Sequence, residues 1–121
     1  LTTIVDHIRQ MGARPICVTQ PTRMWIGQGE TLRGLPEAFR FNGIAYNGLD
    51  YRASLLALNR AMAQLCTDVG GVFIDMNARE FPAGDFYDPV HMTPVGASRL
   101  AGYLFEEMDR HELFAGVYAG R

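Results

Sequence analysis

Apolar residues near the start of the chain recur at Ile4, Ile8 and Met11, the spacing of one helix face, and Gly12 supplies a stop. This predicts the end of a helix over residues 3–12. Residues 14–21 form a short β-branched run with Pro15 and Pro21 at its ends, which predicts a strand buried on both faces, as in a parallel sheet. Residues 22–47 carry Gly27, Gly29, Gly34, Gly43, Pro36 and the single tryptophan, Trp25, with weak periodicity only from Leu35 to Phe41. A long loop with one helical turn is expected there, with Asn42-Gly43 and Asn47-Gly48 as turns. Loops of this length are often lids or binding segments.

A second helix is predicted over residues 51–68. Leu55, Leu58, Met62, Leu65, Cys66 and Val69 form its apolar stripe, Asp50 is the candidate N-cap, and Gly70-Gly71 ends it. Residues 72–76 read as another short buried strand, followed by a polar loop through Tyr87. Thr93 as N-cap and Pro94 at the first helical position open a last helix, with Ala97, Leu100, Ala101, Leu104 and Met108 on one face. Alternation of helix and strand implies right-handed crossovers onto a parallel sheet, hence an α/β domain of three layers.

Composition sharpens this picture little but excludes several classes. With 48% hydrophobic and 20% charged residues, the 121-residue chain is expected to fold as one globular domain. The net charge of -2 arises from scattered charges, so nucleic acid is not an expected partner. All 11 basic residues are arginines without clustering, which reads as solvated surface. No apolar run is long enough for a membrane span. Cys17 and Cys66 lack redox or metal-type spacing and are expected to be buried free thiols. The chain opens on Leu1 with a helical pattern already under way, so the natural N-terminus is expected upstream.

Candidate chemistry concentrates in residues 86–96, between a predicted strand and the last helix, where sites form at the carboxyl edge of parallel sheets. A three-residue spacing across a turn can set the Asp88 carboxylate on Nδ1 of His91, fixing the tautomer and leaving Nε2 to take a proton. The alternative is structural: Asp88 caps backbone N–H groups and His91 is a surface residue. Asp75 lies at a strand's carboxyl end, where it can touch the site but reads better as a cap for the following turn. Arg23 and Trp25 open the long loop just past a strand end and are candidates to line an acyl or sugar pocket, with plain packing open for Trp25. Ser54 and Ser98 fall inside predicted helices, away from any nucleophile-type turn. His7 and His111 have no ligand neighbours, and no third ligand joins Asp88 and His91, so neither metal nor cofactor is expected.

The run Asp88-Pro89-Val90-His91-Met92-Thr93-Pro94-Val95-Gly96 resembles the last block of the SGNH (GDSL-type) hydrolase superfamily, an Asp-x-x-His before the terminal helix. The strand ending Thr19-Gln20-Pro21, the helix bearing Asn59 and the strand before the histidine loop agree in order, so the resemblance covers most of the chain. It implies a flavodoxin-like three-layer sheet of which residues 1–121 supply the C-terminal portion. It further implies a serine ester hydrolase in which His91 is the general base and Asp88 orients it. The family's Gly-Asp-Ser nucleophile and Gly-x-Asn-Asp oxyanion blocks are not found here. The partners implied are an acyl ester (lipid, thioester or acetylated carbohydrate) and the missing N-terminal half or a second copy of the chain. The alternative is a non-catalytic α/β module that binds a ligand or partner, using its open sheet edge.

Overall fold

The computed structural model describes residues 2–36 and 39–115. Helix α1 (Thr2–Gln10) closes where Gly12 adopts φ +73, and the N–H groups of Gly12 and Ala13 return to the carbonyls of Arg9 and Ile8 at 2.8 and 3.1 Å. The stop falls where the sequence places it, but the inward face is displaced. Val5 is buried, whereas Ile4 and Met11 are exposed.

Two three-residue strands, β1 (Ile16–Val18) and β6 (Val72–Ile74), pair in parallel with Ile16 opposite Val72. The fold is therefore mixed α/β around a two-stranded parallel sheet. Val72, Ile74 and Met76 form the core, and Leu100, Tyr103, Leu104 and Met108 of the last helix pack onto them. β1 is not buried on both faces as its sequence suggests. Ile16 and Val18 remain 40% and 38% exposed, because the last helix lies over β6 and leaves β1 beside it open. Cys66 is fully buried and its thiol donates to the Val72 carbonyl at 3.2 Å. Cys17 is only half-buried, against expectation; burial and the neighbouring Cys66 thiol push its pKa up to about 11.

The long loop is organised as two hairpins. β2 (Trp25–Ile26) pairs antiparallel with β3 (Arg33–Gly34) around a 3-10 turn at Gly29–Thr31, and β4 (Phe39–Phe41) pairs with β5 (Ile44–Tyr46). No helix forms from Leu35 to Phe41 among the described residues. Asn42 and Gly43 both take positive φ, 51 and 79, the conformation of a tight hairpin turn, and Phe39 stacks on Tyr46 with ring centroids 4.9 Å apart. Local turn chemistry and a cross-strand aromatic pair outweigh weak helical periodicity.

Helix α2 (Gly48–Asp68) begins three residues earlier than its apolar stripe implies. Asn47 is the N-cap: its Oδ1 accepts from the N–H groups of Leu49 and Asp50 at 2.8 and 3.0 Å. Asp50 occupies the third helical position and its carboxylate accepts from the Asn47 N–H at 3.0 Å, a reciprocal capping box rather than the cap itself. Asn47-Gly48 is thus a helix start and not a free turn. Gly48 is required by contact: a side chain there would collide with the Met24 carbonyl oxygen, and the Gly48 N–H donates to Leu35 at 2.7 Å. The first hairpin consequently rests on the first turn of α2.

Within α2, which packs on β1 and β6, Leu58 is 58% exposed and Asn59 takes a buried place instead, its Nδ2 without a partner. Helix α3 (Pro94–Arg110) starts at Thr93, whose Oγ1 accepts from the Gly96 N–H at 3.2 Å. Leu100, Leu104 and Met108 face the core as predicted, whereas Ala97 and Ala101 are exposed and Tyr103 joins the packed face. Among the described residues no helix is long and apolar enough to cross a membrane. The chain exposes 8247 Å², against about 6,500 Å² for a compact protein of its mass. Much apolar surface is left uncovered, including Ile16, Val18 and Phe105.

Candidate active site

The segment from the end of β6 to α3 is fixed before it reaches its chemistry. Asp75 accepts from the Thr19 hydroxyl at 2.8 Å and from the Asn77 N–H at 3.0 Å, capping the turn Met76–Ala78 as its position suggests. Thr19 Oγ1 in turn accepts from the Met76 N–H at 2.8 Å, which ties the ends of β1 and β6 together. Further on, Asp85 is buried, 2% exposed, and accepts from Arg99 Nε on α3 at 2.7 Å. The Asp85 carbonyl accepts from the Thr93 N–H at 2.9 Å, and the Thr93 hydroxyl donates to the Gly84 carbonyl at 3.0 Å. Any side chain at Gly96 would strike that Asp85 carbonyl, so the close approach of α3 to the loop requires glycine there.

Between these anchors the chain makes a small clip. Phe86 and Met92 form an antiparallel bridge, and the Tyr87 N–H donates to the His91 carbonyl at 2.9 Å, leaving Asp88-Pro89-Val90 at the tip. Asp88 Oδ1 accepts from the N–H groups of Val90 and His91, both at 2.9 Å. Its Oδ2 meets His91 Nδ1 at 2.7 Å. The structural and catalytic readings of Asp88 are therefore compatible, because one oxygen shapes the turn and the other holds the imidazole. The backbone N–H of Val90, then the His91 ring and backbone, hold the Asp88 pKa down at about 2. A carboxylate that stays ionised this far below neutrality keeps Nδ1 protonated and leaves Nε2 as the basic nitrogen. The His91 side chain is 76% exposed, and nothing among the described residues bonds its Nε2.

The loop after β1 docks on the clip from the other side. The Arg23 N–H and the Thr22 hydroxyl both donate to the Pro89 carbonyl, at 2.7 and 2.9 Å. Arg23 and Trp25, singled out from sequence, thereby share a wall with Asp88. Together with Leu35, Phe86 and Tyr87 they line a cleft of about 310 Å³. Arg52 of α2 lies over the Trp25 ring at 5.8 Å, so Trp25 both packs and lines the cleft. A larger and more polar cleft of about 590 Å³ continues past Arg23 and Trp25 toward Asn77 and Arg79.

The remaining candidates stay apart from this site. Ser54 donates to the Asp50 carbonyl at 3.0 Å inside α2, and Ser98 is exposed on α3. His7 lies within α1, and His111 caps α3. No three His, Cys, Asp or Glu side chains gather as metal ligands among the described residues. Sequence reading missed Asp85, Arg99, Thr22 and Thr19, whose roles rest on partners 14 to 67 positions away. Comparison with family models, curated proteins and solved structures returns no match for this chain.

Proposed function

We propose that the chain supplies the acid–base half of a serine ester hydrolase of the SGNH (GDSL) type. The observation that carries this reading is the 2.7 Å bond between His91 Nδ1 and an Asp88 carboxylate already fixed by two backbone N–H groups. His91 Nε2 would accept the proton of a serine hydroxyl as its oxygen attacks an acyl ester carbonyl. It would return that proton to the departing alcohol, leaving an acyl-serine that water then hydrolyses by the same path. Asp88 stabilises the imidazolium formed in each half. Neither Ser54 nor Ser98 can serve without dismantling a helix, so the nucleophile is a serine supplied from outside residues 1–121. In that setting β1 and β6 form part of a larger three-layer parallel sheet, and Arg23 and Trp25 contact the substrate.

Turnover of p-nitrophenyl acetate, read alongside mass spectrometry after a fluorophosphonate probe, tests the reading. The 121-residue chain should show neither turnover nor labelling. The polypeptide extended on its N-terminal side by its own reading frame should show both. His91→Ala in that longer protein should lower kcat by roughly 10⁴-fold or more. Stoichiometric labelling of Ser54 or Ser98, or full activity without His91, would sink the assignment. A second reading, a non-catalytic module docked through the open side of β1, is favoured by the exposure of Ile16 and Val18. It predicts no labelling in either protein.

A further inference from the structure

The cleft beside Asp88 holds a cation that the acid–base chemistry does not use. Arg23 is half-buried, and its backbone is pinned to the Pro89 carbonyl. Its guanidinium has no ion pair and no hydrogen bond among the described residues. Among the described residues Arg9 and Arg60 also lack a partner, but both are exposed on helices, and most of the other arginines are engaged. Arg79, Arg99 and Arg110 pair with carboxylates, Arg14 and Arg33 donate to backbone carbonyls, and Arg52 lies over Trp25. Asp88, the carboxylate on the same wall, is committed to the Val90 and His91 N–H groups and the imidazole. The walls around Arg23 include Trp25, Leu35 and Phe86. A guanidinium on a largely apolar wall with no protein carboxylate bonded to it is free to take a bound anion through charge-assisted hydrogen bonds.

We propose that Arg23 is the specificity-determining contact for a substrate bearing a carboxylate next to an apolar group. The term substrate here rests on the hydrolase reading; the binding site itself does not. The guanidinium fork matches a carboxylate through two parallel N–H···O bonds, while the apolar wall takes the adjoining hydrocarbon or ring. A cleft of about 310 Å³ suits a small acyl or aryl acid rather than a long lipid chain. Arg33 borders the same cleft, but its Nη1 is already occupied by the Glu30 and Leu32 carbonyls at 2.9 and 2.8 Å. Charge selection therefore falls to Arg23.

Trp25 is the single tryptophan and lines the cleft, so its fluorescence reports occupancy directly. The test titrates the 121-residue chain with 3-phenylpropanoate and with its neutral amide, 3-phenylpropanamide, at pH 8, where an ordinary histidine is neutral. The carboxylate should bind at least about tenfold more tightly than the amide. Arg23→Gln should bring the two affinities together, and Arg23→Lys should keep part of the preference. Equal affinities in the unaltered chain, or a preference that survives Arg23→Gln, would overturn the proposal. So would a preference removed by Arg33→Gln and not by Arg23→Gln. The readout is binding alone, so absence of serine labelling in the longer protein would defeat the hydrolase reading and leave this site standing.

Discussion

Asp88 shows how one side chain serves two scales of structure. Its Oδ1 closes the turn that makes the clip, and its Oδ2 holds the His91 imidazole, so the geometry of the pair depends on ionisation of a single group. The Asp88 pKa lies below its ordinary value, so its charged form is favoured in the folded chain and stabilises the clip at all pH values above the unfolded carboxylate range. That stabilisation is lost as pH falls from about 4 toward the folded-state value of about 2. A carboxyl-detected NMR titration should give Asp88 a midpoint near 2, and the His91 Nδ1 proton should stay hydrogen-bonded well below pH 4. A midpoint near 4 would mean that the two backbone N–H bonds do not form in solution. On the hydrolase proposal, Asp88→Asn in the N-terminally extended protein should lower kcat by roughly 10³- to 10⁴-fold, since the amide favours the wrong imidazole tautomer.

At the level of elements, the site is positioned by how α2 and α3 begin. Asn47 starts α2 through two N–H bonds, and that start places Gly48 against Met24 and Leu35 of the first hairpin, which carries Trp25. Asn47→Ala should destabilise the chain by about 1 kcal/mol. Asp50→Ala, which removes only the reciprocal bond, should cost less, and chemical denaturation of both variants checks the order. The sequence signal for this start was present as Asn47-x-x-Asp50, but Asp50 sits nearer the apolar stripe and was the more visible candidate cap. The hairpins were less legible. Their strands span two or three residues, too few for alternation to register, and only Asn42-Gly43 announced one of the turns.

For the whole molecule, the main physical fact is that β1 keeps an apolar face open beside a well-packed β6. Ile16 and Val18 on a short strand paired on one side invite association through that edge. Light scattering should therefore show mass rising with concentration for this chain. Val18→Lys, which places a charge on the open strand, should shift the chain toward the monomer. A monomer at all concentrations would indicate that the open face is tolerated in water.

The order of the three helices and the two parallel strands, the Gly12 and Gly70-Gly71 stops, the Thr93-Pro94 start and the Asp88-x-x-His91 pair were legible in the sequence. Each depends on residues within a few positions of one another, where spacing translates directly into geometry. Which side of each helix faces inward was legible only in part: Val5 replaced Ile4, and Asn59 and Tyr103 took places that periodicity gave to Leu58 and Ala101. Tertiary structure alone decided that the loop after β1 would lie on Pro89, that Asp85 would be buried under Arg99, and that Arg23 would share a wall with Asp88. Those contacts join residues 14 to 67 positions apart, and they depend on where two helices settle on two short strands. No local pattern encodes such distances, because they are set by packing among elements that the chain brings together only once it has folded.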